Sequence, residues 1–206
     1  MDISVPRDVI ANCDSYELLC YIALKVFLAG RLYKVNLVRI SNLAETLYLG
    51  EETPAYRMKC MRDALKSLCE KGYVVGELDA KDTYLIDKDE LFAASKSFIS
   101  LRENELRTLL PRTYRKEVLS SLKTYCVILS NIYGKTRVAE ITLGILSDRT
   151  GVKPKALISH IKLLEDLRLL AVGRFINNHK MGNVYARYVD KEYVEKWIGS
   201  HNTAVR

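Results

Sequence analysis

Lys153, Lys155, Ser159 and Lys162 lie on one side of a segment whose apolar residues, Leu157, Ile161 and Leu164, repeat with helical spacing. Ammonium groups and a hydroxyl gathered on one helix face bind anions. Lysine and serine take phosphate oxygens, and lysine also reaches guanine edges. Pro154 suits the first turn of such a helix. The backbone N–H groups at that end add a partial positive charge. His160 is placed near the edge of the same face. Asp166 sits towards the far end, where it would repel phosphate, so contact is predicted at the N-terminal end.

A second basic element follows. "LLAVGRFI" and "NVYARYV" are predicted strands around the polar turn "NNHKMG". Arg174 precedes the tip, Asn178, His179 and Lys180 form it, and Arg187 lies on the return strand. With Gly182 nearby, such a tip can follow a phosphate backbone or enter a minor groove. The same composition also suits a solvated turn.

These side chains need elements to hold them. Thr142 is predicted to cap a short helix, "LGILSDRTG", that ends at Gly151, and the helix from about Pro154 to Leu169 follows. Before them come a helix from Tyr114 to Tyr133, capped by Thr113, and a short strand in "RVAEI". A last helix, "KEYVEKWIG", follows Asp190.

The same order is predicted earlier in the chain. A helix runs from Ser15 to about Ala29, with Leu18, Ile22, Val26 and Ala29 as its stripe and Ser15 as its cap. Then come a short extended "KVNLV", a short helix capped by Ser41, and a helix from Pro54 to about Lys71. Two strands in "YVVGELDAKDTYLID" close the set. "ISNLAETLYLG" and "ITLGILSDRTG" each run from isoleucine through a hydroxyl residue to a closing glycine, with a helix-opening proline soon after. Asp87 with Glu90, and Ser100 with Glu103, have capping-box spacing. The predicted organisation is an N-terminal unit over 1–87, a helical connector over 88–112 and a C-terminal unit over 113–206. The fold class is mainly α with small β-hairpins.

Charge also divides the chain, with the basic excess in its second half. The 206 residues carry a net +7. Residues 1–100 hold 13 Lys/Arg against 15 Asp/Glu, and residues 101–206 hold 19 against 10. The basic half therefore suits a polyanion partner. In the first unit Lys59, Arg62 and Lys66 form a basic column, but Glu51, Glu52 and Asp63 counter it and the hairpin is acidic. That unit is expected to dimerise or hold a partner, with DNA contact secondary.

"LSDRTGVKPKALISHIKLLEDLRLL" and the hairpin after it resemble the winged helix-turn-helix superfamily. "ISNLAETLYLGEETPAYRMKCMRDALKSLCEKGYVVG" resembles it more faintly. Two such units in one small chain look like plasmid replication initiators and phage replisome organisers. The resemblance implies double-stranded DNA as partner, a homodimer, and a replication or transcription protein as a further partner. In such folds the second helix of the pair enters the major groove. A non-catalytic protein–protein adaptor built on the same units is the alternative.

Enzyme chemistry finds little support in the residues. No phosphate-cradling glycine motif, zinc spacing or nucleophile elbow is present, so neither catalysis nor a metal or other cofactor is expected. The 13 tyrosines include no evident rolling-circle nucleophile, because no histidine-rich site accompanies them. Five cysteines without C-x-x-C spacing are expected as free thiols in a reducing cytoplasm. "LLCYIALKVFLAG" contains Lys25 and is too short for a membrane span.

Overall fold

A computed structural model describes residues 1–47, 53–93, 95, 97–110, 115–132, 134–177 and 180–201. The chain divides into two compact units, Met1–Leu119 and Ser120–Arg206.

The first unit opens with strand β1 (Asp2–Pro6) and helix α1 (Arg7–Asn12). Helix α2 (Ser15–Leu28), strand β2 (Val35–Arg39) and helices α3 (Ile40–Thr46) and α4 (Pro54–Glu70) follow. Strands β3 (Gly76–Ala80) and β4 (Thr83–Asp87), helix α5 (Lys88–Phe92), strand β5 (Phe98–Arg102) and helix α6 (Glu103–Leu109) complete it. Helix α7 (Arg115–Ser130) carries the chain across the boundary. The second unit continues with β6 (Ala139–Glu140), α8 (Leu143–Thr150), α9 (Pro154–Asp166), β7 (Leu170–Asn177) and β8 (Lys180–Arg187). A 3₁₀ turn at Tyr188–Asp190 leads into α10 (Lys191–His201).

Both units therefore contain a helix, a short strand, two helices and a hairpin, in that order. Their antiparallel sheets share one topology: β2-β4-β3 in the first and β6-β8-β7 in the second, with the short strand beside the returning arm of the hairpin. Helix and hairpin positions match the sequence expectations closely. Positive-φ glycines end α2, α4 and α8: Gly30, Gly72 and Gly151 at φ 78, 73 and 70.

Four expectations are corrected. The N-cap of α3 is Arg39, not Ser41, which lies inside the helix, and no side chain caps that end. The N-cap of α2 is Asp14, not Ser15. Its carboxylate accepts from the Glu17 amide while Glu17 accepts from the Asp14 amide, a full capping box. Residues 88–112 are no helical connector, because β5 pairs antiparallel with β1 from Asp2↔Arg102 to Pro6↔Phe98 and ties the stretch into the first unit. Alternation in "SFISLR" buries Ile99 and Leu101 on one side, which is a strand period. Ser100 consequently lies in a strand and is not the N-cap of the helix that follows. Arg102 is the N-cap of α6, and its amide donates to Glu105. Thr113 lies outside the described residues.

Helix α2 is the core of the first unit. The one-sided stripe expected of it is incomplete, because Leu18 through Leu24 are buried almost all round, with α3, α4 and β1 as neighbours. Each fully buried leucine there contributes roughly 2 kcal/mol. Lys25 is buried in the same helix, only 2% exposed. Its ammonium donates to the Ser4 hydroxyl (3.1 Å) and lies 5.0 Å from the Phe92 ring centre. Burial pushes this lysine below its ordinary value. The unfolded chain consequently binds the proton more tightly, and stability rises with pH between the folded and the unfolded pKa. Lys25→Met is expected to stabilise the protein by about 1 kcal/mol at pH 7, with the advantage shrinking towards pH ~10. Urea denaturation at the two pH values checks this.

In the second unit α10 lies across one face of the hairpin. Phe175, Val184 and Ala186 are buried there against Val194, Trp197 and Ile198. The approach is close. A Cβ on Gly182 would lie 2.3 Å from the Phe175 ring, and one on Gly173 would lie 2.5 Å from Val194 and Ile198. The ring of Phe175 meets Trp197 edge-on at 4.5 Å between centres, and Trp197 stacks on His201 at 4.0 Å.

Candidate nucleic-acid interface

The turn between α8 and α9 fixes the presentation of α9. Thr142 caps α8, its hydroxyl accepting from the Ile145 amide. At the other end, the Gly151 amide donates to the Ser147 carbonyl (2.8 Å) and the Ser147 hydroxyl donates to the Val152 carbonyl (2.8 Å). Three residues then suffice to reach Pro154 at the first turn of α9. The N-cap is Lys153, and no side chain caps this terminus. Helix α4, its counterpart in the first unit, is closed by Thr53, whose hydroxyl accepts from the Tyr56 amide.

Leu157, Ile161 and Leu164 are buried, and Lys153, Lys155, Ser159 and Lys162 are exposed. The division of faces read from the sequence holds for these seven residues. His160 departs from it. It is 4% exposed, and its Nδ1 lies 3.3 Å from the Thr124 hydroxyl on α7. The signal was available, because position 160 falls three residues after Leu157 and four before Leu164, on the inner side of the helix. His160 is thus a core residue of the second unit, not an edge contact.

The hairpin stands beside α9. Directly paired residues point to the same side of a sheet, so Val172 with Tyr185 and Arg174 with Asn183 share the face opposite α10. Between this face, α9 and the start of α8 runs a groove of about 630 Å³. Ile158 and Lys162 line it from α9, and Arg174 and Asn183 from the hairpin. Glu165 and Asp166 line it as well, within a turn of Lys162, so the charge in the groove is mixed, while Lys153 and Lys155 stand exposed at the N-terminal end of α9, apart from that lining. Arg174 is exposed, and the Asn183 amide donates to the Tyr185 hydroxyl (3.0 Å). Arg187 pairs with Leu170 at the base of the hairpin, seven residues from Lys180 and roughly 23 Å along the strand. Lys180 opens β8 opposite Asn177, which places it at the tip. Asn178 and His179 lie outside the described residues.

One residue of this surface was missed by the sequence reading. Ile158 is 56% exposed on the outer face of α9, beside Lys155, Ser159 and Lys162. Its position between Lys155 and Lys162 in the helical period was the available signal.

The basic column of the first unit is quite different. Arg62 pairs with Asp82 in the hairpin turn. That hydrogen bond raises the Arg62 pKa and lowers that of Asp82. Lys66 lies 3.8 Å from Glu70, one turn on. Lys59 is exposed. Two of the three cations therefore face carboxylates of their own unit.

The five cysteines are free thiols. Among the described residues no group of three or more His, Cys, Asp or Glu could hold a metal ion, and no helix is long and apolar enough to cross a membrane. No family model matches the chain, and no curated protein matches it.

Proposed function

We propose that this chain is a non-catalytic double-stranded DNA-binding protein of tandem winged-helix design, acting in the cytoplasm at a replication origin or a promoter. One observation carries this reading. Helix α9 exposes Lys153 and Lys155 at an uncapped N-terminus and Ser159 and Lys162 further along, with Lys162 across a groove from Arg174, while its apolar side is buried. Seated in a major groove by that end, the helix meets phosphates with its lysines, and Ile158 meets base edges, where thymine presents a methyl group. The hairpin then follows the adjacent backbone. The repeated element order supports a tandem arrangement, and the ion-paired column of the first unit supports a reading function concentrated in the second.

Selection of bound duplexes from a random pool tests the proposal. Enrichment of a defined site is expected, with affinity falling steeply in salt. Roughly four to eight phosphate contacts correspond to a loss of about a hundred- to ten-thousand-fold between 50 and 200 mM salt. Absence of duplex binding, or a flat salt response, favours the protein–protein adaptor.

A further inference from the structure

Helices α4 and α9 take the same place in the order of their units. Arg62 and Lys162 take the same place in those helices, each eight residues after the opening proline. What the hairpin sets against that cation differs in sign. In the second unit it is Arg174, across a groove whose carboxylates, Glu165 and Asp166, come from α9 itself. In the first unit it is Asp82, whose carboxylate accepts a hydrogen bond from the Arg62 guanidinium.

The turn of the first hairpin holds that carboxylate in place. Ala80 pairs with Thr83, so Lys81 and Asp82 form a two-residue turn. Asp82 takes the left-handed conformation, at φ 64, which aspartate and asparagine adopt more readily than other side-chain-bearing residues. Its carbonyl accepts from the Ile40 amide at the start of α3 (2.9 Å). The turn is thereby tied to α3 through the backbone and to α4 through the ion pair. A carboxylate held on a guanidinium supplies the charge and the acceptor oxygens that a phosphate would supply. Lys59 and Lys66 stand exposed one turn to either side of Arg62.

We propose that the first unit carries a second, latent duplex-binding surface, kept off DNA by Asp82, which occupies Arg62 in place of a backbone phosphate. This rests on the reading of the chain as a DNA-binding protein. It adds to that reading the residue that silences one of the two units.

The test uses the full chain with Lys155→Glu and Lys162→Glu, which suppress binding by the second unit. Adding Asp82→Asn should raise its affinity for a labelled random-sequence duplex at least about five-fold at about 0.1 M salt. The slope of log affinity against log salt should steepen by about 0.9, the value of one phosphate contact. Asparagine suits the left-handed turn, so the hairpin is retained. Arg62→Gln added to Asp82→Asn should return the affinity to within about two-fold of the starting chain. Asp79→Asn removes the same charge from exposed β3 and should change affinity by less than about two-fold. A parent chain that binds no duplex fails the DNA reading, and the proposal with it. A parent chain that binds, while Asp82→Asn gains nothing, fails the proposal alone. An equal gain from Asp79→Asn, or one that survives Arg62→Gln, overturns it as well.

Discussion

Exchanging Lys155 and Lys162 for glutamate is expected to lower the affinity for the selected duplex about a hundred-fold or more, while leaving the fold intact. Both side chains are exposed on α9, so the substitutions remove no packing and their stability cost lies within about ±0.5 kcal/mol. Their alanine counterparts isolate the electrostatic part. Each lost phosphate contact reduces the slope of log affinity against log salt by about 0.9, so the double alanine variant should lose about two units of slope. The control lies in the first unit. Lys59→Glu with Arg62→Glu places negative charge on a column already engaged by Asp82 and Glu70, and should change affinity by less than about three-fold. Fluorescence anisotropy against a labelled duplex over a salt series gives all three numbers. An equal loss from the two pairs would mean that both units read DNA alike, and the division of labour would fall.

The second large effect concerns stability. Lys71→Met is expected to destabilise the protein by about 2–3 kcal/mol at pH 7, and by much less near pH 4. Glu17 is 5% exposed and is held by both of its oxygens to Lys71, at 2.6 and 2.7 Å, with Ser67 donating as well. Burial pushes its carboxyl up. The hydrogen bonds of Lys71, Ser67 and the Asp14 amide, with the Lys71 charge, outweigh burial and hold it below the ordinary glutamate value. In the parent chain this carboxylate therefore contributes stability above the unfolded pKa, near about 4.3, and loses it as pH falls through the lower folded value. Without the ammonium, burial dominates, the folded pKa moves above the unfolded one, and the sign reverses. The variant then regains stability as the carboxyl takes up a proton. Lys71 is partly open to solvent, which keeps the figure at the low end for a broken buried pair. Urea denaturation at pH 7 and pH 4 decides the matter, and an equal gap at both would refute the role given to Glu17.

Legibility from sequence followed the range of the forces involved. Gly30, Gly72 and Gly151, with Thr142, Asp87 and Pro154, mark helix ends by local backbone rules, and those ends were readable. The α9 faces were readable because Leu157, Ile161 and Leu164 must meet the core. What failed depended on distant partners. Strand β5 exists because β1, nearly a hundred residues earlier, supplies its hydrogen bonds, and no window around Phe98 contains that information. The neutralisation of Arg62 likewise depends on a hairpin turn twenty residues away. His160 was a different kind of miss. Its polarity suggested an outward face, while its place in the helical period assigned it inward.

The arrangement around α10 also gives this protein an optical handle. The chain contains one tryptophan, Trp197, and that indole lies edge-on to Phe175 of the hairpin and stacked on His201. Phe175 in turn rests on Gly182 of the opposite strand, so the hairpin and the indole share one packed contact. A duplex that bends or reseats the hairpin changes the surroundings of this single indole. The position of the hairpin can therefore be followed by intrinsic fluorescence in the unlabelled protein.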